Sequence, residues 1–162
     1  MKRSLLIFFA FLLIVTESCS KDNETQNSTS NEIIDAGDTD DVNQKTNKMK
    51  IKIGERILTA TLVDNSSTES LVALLKEQSL TIEMRDYAKM EKVGSIGQSL
   101  PRNDEQITAQ PCDIILYQGN ALVIYYAPNS WNFTRLGRID DITTQELKKV
   151  LGEGDVTVTL SL

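Results

Sequence analysis

Histidine is absent from all 162 residues. That excludes Ser-His-Asp and Cys-His catalysis, histidine general bases and every metal site that needs an imidazole. Cysteine is nearly absent: Cys19 and Cys112 are the two. Cys19 follows an N-terminal signal, so Cys112 is the sole cysteine of the folded part and no disulfide staples it. With no histidine to make a thiolate, Cys112 reads as a small buried hydrophobe beside Ile114-Ile115-Leu116. Basic residues are outnumbered, 17 to 23, giving a net charge of −6 and a pI near 4.7. Nucleic-acid binders carry a basic excess or patch, so nucleic acid is not an expected partner. Long apolar runs are missing too. The longest, Leu5 to Val15, has 11 residues, short of the roughly 20 that a membrane-spanning helix needs. Aromatic residues are 6% of the chain, so any cluster of them stands out.

What is present begins with an address. Lys2 and Arg3 precede the apolar run Leu5–Val15, and Thr16-Glu17-Ser18 leads into Cys19. Residues 1–18 therefore predict a secretory signal. The sequence Thr16-Glu17-Ser18-Cys19 resembles a relaxed bacterial lipobox, which implies cleavage before Cys19, lipidation of its thiol and attachment to a membrane. A plain secretory signal with an incidental cysteine is the competing reading. Ser20-Lys21-Asp22-Asn23-Glu24 is similar to the surface-export signal of Bacteroidetes-type lipoproteins, although a solvated tether reads the same way. The resemblance implies an outer-membrane lipoprotein of the bacterial cell envelope, with surface exposure left open.

Residues 19–47 form an acidic tether. From residue 20 on it holds seven acids (Asp22, Glu24, Glu32, Asp35, Asp38, Asp40, Asp41) against Lys21 and Lys45. So polar a segment cannot bury enough surface to offset its ordering entropy, and disorder is expected. A calcium loop starting at Asp38 needs glycine at its sixth position and glutamate at its twelfth. Asn43 and Met49 stand there, so no metal and no other cofactor is expected. The remaining residues, 48–162, are nearly neutral and form the single expected domain.

That domain reads by its period. Met49–Ile53 alternates as a half-buried strand, and Gly54-Glu55 turns it into a second, Arg56–Val63. Leu71, Leu74 and Leu75 predict a short helix over about 68–77. Leu80, Ile82 and Met84 alternate again. Residues 87–110, with Gly94, Gly97 and Pro101, read as mostly irregular. Cys112–Tyr117 and Ala121–Tyr126 flank a glycine turn and predict a hairpin. Phe133–Ile139 predicts a strand, Ile142–Leu151 a second helix closed by Gly152, and Val156–Leu162 a final strand. Seven or eight strands with many hairpins predict a mainly β fold: a closed or nearly closed antiparallel barrel with two short helices.

The stretches Asp113–Tyr117, Gly119–Tyr125 and Asn129-Ser-Trp-Asn-Phe-Thr-Arg-Leu-Gly137, with Ile82–Tyr87 and Glu91–Gly94, are similar to the bacterial cyclophilin-like domain family. The resemblance covers about 49–162 and implies an eight-stranded barrel with a helix at each end. It does not carry activity with it. The Phe-His-Arg strand, the Gln-Gly-Gly-Asp turn and the Trp-Leu-Asp-type loop of authentic cyclophilin isomerases do not occur here.

The residues that suggest a binding face are aromatic. Phe133 and Arg135 share one side of a strand, and Trp131, Tyr125, Asn129 and Tyr87 are drawn in with them. An aromatic face beside a guanidinium suits a peptide or small-molecule ligand. Arg135 is the residue that would favour a twisted prolyl amide if the chain were a divergent prolyl isomerase. Aromatics in strands are more often core, and an arginine often pairs with a carboxylate. A third reading is a structural subunit of a surface complex, which predicts a broad exposed apolar patch. Asp86-Tyr87 and Glu91-Lys92 read as surface residues. Gly94-Ser-Ile-Gly97 is followed by no Lys-Ser or Lys-Thr, so it is not a phosphate loop.

Overall fold

The computed structural model describes residues 47–162. The readings made on the signal 1–18, on Cys19 and on the tether up to residue 46 lie outside the described residues.

Strand β1 (Lys48–Ile53) turns its lysines outward and buries Met49, Ile51 and Ile53, as the two-residue period of a strand requires. Gly54, at φ +55°, carries it into β2 (Arg56–Leu62). Helix α1 spans Ser66–Glu77, starting two residues before the expected 68. Asn65 sets that start: its side-chain oxygen accepts from the Thr68 backbone N–H, while its amide donates to the Arg135 carbonyl at 2.8 Å. Then follow β3 (Leu80–Tyr87), β4 (Glu91–Ser95), β5 (Glu105–Ala109), β6 (Asp113–Tyr117), β7 (Ala121–Tyr125) and β8 (Asn129–Ile139). Helix α2 (Thr144–Leu151) opens on a capping box between Thr143 and Glu146 and ends at Gly152. Asp140, between β8 and this helix, accepts from Lys48 Nζ and the Thr61 hydroxyl. Strand β9 (Val156–Ser161) closes the chain's secondary structure.

The strands run β2-β1-β9-β3-β4-β7-β6-β8, and β2 pairs back onto β8. The expected closed eight-stranded antiparallel barrel is therefore formed, with β5 as a ninth strand outside it, paired to β8 alone. Leu71 and Leu75 of α1 and Leu147 and Leu151 of α2 join the barrel's apolar interior. Glycines permit two close strand crossings. A Cβ on Gly94 would lie 2.5 Å from the Glu83 carbonyl oxygen, and one on Gly137 would strike that of Thr61.

The expectation that 87–110 is mostly irregular misses two strands: β3 runs on to Tyr87, and β4 and β5 lie inside that stretch. Likewise β8 begins at Asn129, four residues before the expected Phe133. Glu91 and Lys92 are buried rather than on the surface. In β4 both faces are covered, one by the barrel interior and one by an outer cluster described below, so no polar alternation marks it.

An extra residue in β8 decides which side chains face the outer site. Ile114 pairs with Gly137 and Ile115 with Arg135, leaving Leu136 unpaired as a bulge. The bulge keeps Leu136 and Ile139 in the core while both Arg135 and Arg138 stay partly exposed and reach Asp113.

Candidate functional site

A second, smaller apolar cluster lies on the outer face of the barrel. Ala109, Ile115, Val123, Tyr125 and Phe133 form it, with Val93, Ile107 and Tyr117 packed against them. These are the outward positions of β4 to β8. The Phe133 ring holds it together, 5.6 Å from Tyr125 and 6.3 Å from Tyr117, edge to face with the latter.

A cavity of about 500 Å³ opens over this cluster, within the usual range for small-ligand sites. Strand β3 contributes Arg85 and Tyr87, β4 Glu91 and Val93, β6 Tyr117. Ala121 and Tyr125 come from β7, and Asn129, Trp131 and Phe133 from β8. Register explains the convergence. Tyr87 stands opposite Glu91, and Glu91 opposite Tyr125, so three side chains form one row across three strands. Trp131 and Tyr87 flank the mouth, 59% and 58% exposed.

At the cavity wall sits a buried carboxylate, Glu91, 8% exposed. Burial pushes its carboxyl above the usual glutamate value, and a hydrogen bond from Tyr125 works against that rise. The Tyr125 phenol is itself raised, first by burial and then by its hydrogen bond to Glu91. Asn129 Nδ2 donates to the Tyr125 oxygen at 3.2 Å. The Tyr125 phenol thus takes the Asn129 amide and stands opposite Glu91 in register, and all three residues line the same chamber.

Of the residues expected at the site, Tyr87, Tyr125, Asn129, Trp131 and Phe133 converge on this cavity, and Arg135 does not line it. Arg135 lines a neighbouring depression with Asn65, Asn103 and Glu105. Its guanidinium lies 3.3 Å from Asp113, which is fully buried and also takes Arg138 at 2.8 Å and the Gln110 N–H at 2.9 Å. Glu91 and Arg85 were not expected at the site. The signal for Glu91 was its place between two apolar-rich strands, followed by Val93 and Gly94, but a glutamate in sequence defaults to the surface.

Asp86 and Glu91, both expected on the surface, face opposite sides of the barrel wall. Asp86 accepts from the Tyr126 hydroxyl at 2.6 Å and from Lys92 Nζ at 2.9 Å, and Tyr126 belongs to the interior cluster. Lys92 is fully buried and also donates to the Gly154 carbonyl at 2.5 Å. The Tyr126 hydroxyl and then Lys92 hold the Asp86 carboxyl below its usual value. Cys112 is buried, and burial raises its thiol. That is the opposite of what a thiolate nucleophile needs.

Comparison with the curated proteins and with the solved structures returns no match. The sequence profile of the Cyclophilin-like family matches residues 51–161, which spans the barrel from its first strand to its last. The chain belongs to the Cyclophilin-like family.

Proposed function

We propose that this protein is a cell-envelope lipoprotein whose cyclophilin-like barrel binds a peptide or small ligand in the outer-face cavity, without efficient catalysis. The observation that carries the reading is Glu91: a buried carboxylate on the wall of an aromatic cavity that Tyr125 also lines. A fold gains nothing by burying an ionisable group that needs no partner, and such groups cluster at functional sites. Two of the three large hydrophobic side chains exposed among the described residues, Tyr87 and Trp131, stand at this cavity's mouth. That favours a pocket over the broad apolar patch of a structural subunit.

Trp131 is the only tryptophan in the chain, so its emission reports on the mouth alone. Titration with a panel of X-Pro peptides and small polar aromatics is expected to shift that emission. Glu91→Gln is expected to weaken the response at least about tenfold, the scale of one hydrogen bond to a charged group. Exchange-spectroscopy NMR on the same mixtures separates binding from turnover. Faster cis/trans exchange would establish a prolyl isomerase. An unchanged Trp131 signal across the panel would remove the cavity from the account.

A further inference from the structure

Two buried carboxylates occur among the described residues, Asp113 and Glu91. Asp113 is matched by two guanidiniums, and the one fully buried lysine, Lys92, is matched by Asp86. Glu91 has only neutral partners; no cation pairs with it among the described residues. A buried carboxylate is costly to leave without a counter-charge, and this one faces an open cavity.

The cation nearest in register is Arg85. It stands opposite Val93, while Glu91 stands opposite Tyr87. Arg85 and Glu91 are therefore diagonal neighbours, roughly 7–8 Å apart at Cα, and both line the cavity. Yet they form no ion pair, and the exposed Arg85 guanidinium has no hydrogen-bond or ion-pair partner among the described residues. Opposite charges thus sit on one concave wall, close to each other and unjoined. The rings of Tyr87, Trp131 and Phe133 line the same cavity.

A simple amine would satisfy Glu91 but meet Arg85 as a like charge. A simple carboxylate would satisfy Arg85 and meet Glu91. A ligand carrying both signs on adjacent atoms satisfies both, and an apolar body on it covers the rings. We propose that the cavity binds a free α-amino acid with an aliphatic or aromatic side chain. Its ammonium donates to Glu91, its carboxylate accepts from Arg85, and its side chain lies among Tyr87, Trp131 and Phe133. The inference rests on the ligand-site reading above and names the ligand class for it.

Calorimetry and Trp131 emission on the full chain test this with L-leucine and L-phenylalanine. Each is compared with its N-acetyl form, which lacks the ammonium, and its amide, which lacks the carboxylate. Binding by at least one free amino acid is expected, with each blocked form weaker by at least about tenfold, the scale of a lost charged hydrogen bond. Arg85→Met keeps the stem at an exposed site and is expected to bind the free acid and its amide equally well. Glu91→Gln is expected to erase the preference over the N-acetyl form. Equal binding of blocked and free forms overturns the proposal, as does silence from both amino acids at millimolar concentration. If X-Pro peptides shift Trp131 while amino acids do nothing, this inference fails and the ligand-site reading stands. Silence from every probe defeats both.

Discussion

Glu91 and Lys92 are adjacent in sequence, yet their charges are handled in opposite ways. Lys92 points into the barrel and is neutralised by Asp86. Asp86→Asn would strip the counter-charge from a wholly buried ammonium and leave it neutral acceptors only, and breaking a buried pair in this way costs about 3–5 kcal/mol. Lys92→Met leaves Asp86, which is partly exposed and still held by Tyr126. Chemical denaturation is therefore expected to rank Asp86→Asn as the more damaging of the two; the reverse order would mean that Tyr126, not Lys92, is the partner that matters. Glu91 makes a prediction in pH. Its carboxyl titrates near 4.5 when unfolded and higher when folded. Between those values the folded state holds a proton that the unfolded chain has released, so stability falls as pH rises through that window and stays lower above it. Glu91→Gln does not titrate. The stability difference between variant and parent is expected to shift in the variant's favour from about pH 4.5 upward and then level off, measured by denaturant midpoints at several pH values. A difference independent of pH would mean that the carboxyl is not desolvated. The two residues also show why part of the site was illegible in sequence. Aromatic types announced themselves at Trp131, Phe133, Tyr125 and Tyr87. No rule of composition tells a buried glutamate from a solvated one.

Closure of the barrel depends on elements meeting at distances that admit no side chain. Gly94 of β4 passes the Glu83 carbonyl and the Ile82 side chain of β3, and Gly137 of β8 passes the backbone of Thr61 in β2. The second crossing is the β2–β8 seam that closes the barrel. Alanine at either position forces backbone apart, and overpacking of this kind costs about 1–3 kcal/mol. For a domain of this size that is a drop of about 4 °C in Tm per kcal/mol. Gly54→Ala is the control. Its Cβ meets nothing within 4 Å, and the cost is confined to a φ of +55°, about 1–2 kcal/mol. Thermal unfolding is expected to show Gly137→Ala at least as damaging as Gly54→Ala; a Gly137→Ala variant of parental Tm would mean that the seam can relax. Elements exposed on one face were readable from sequence: β1, β3 and β9 alternate, and α2 carries its caps in plain view at Thr143 and Gly152. β4 was not, because Glu91 and Lys92 are both buried, on opposite faces. β5 was not, because it lies outside the barrel with most of its residues exposed. The start of β8 hid for the same reason, since Asn129–Asn132 pair with β5 and carry little apolar signal.

At the scale of the whole molecule, the proposed lipoprotein needs something to hold its barrel at a membrane. No helix among the described residues is long and apolar enough to cross one, and Leu5–Val15 is too short to do so. Electrostatics offers little. Acids outnumber lysines seven to two over residues 20–47, and juxtamembrane attraction to anionic lipids needs clustered lysine and arginine instead. In the proposed lipoprotein that role falls to acyl chains on Cys19, each buried CH₂ contributing about 0.8 kcal/mol, with more than one chain needed for stable anchoring. The proposed lipoprotein thus makes a sharp prediction in its native host. Labelled palmitate enters the protein, and Cys19→Ala abolishes the label. Because no second attachment is expected, the same variant is also recovered in the soluble fraction, at low salt as well as high. Cys112→Ala serves as the contrast: its thiol is buried in the fold, and the variant keeps both label and membrane. Undiminished labelling in Cys19→Ala would refute the anchor. Lost labelling with the protein still on the membrane at low salt and released at high salt would place the attachment on the barrel's own charged surface, where the outward row Lys48, Lys50 and Lys52 of β1 is the first region to examine.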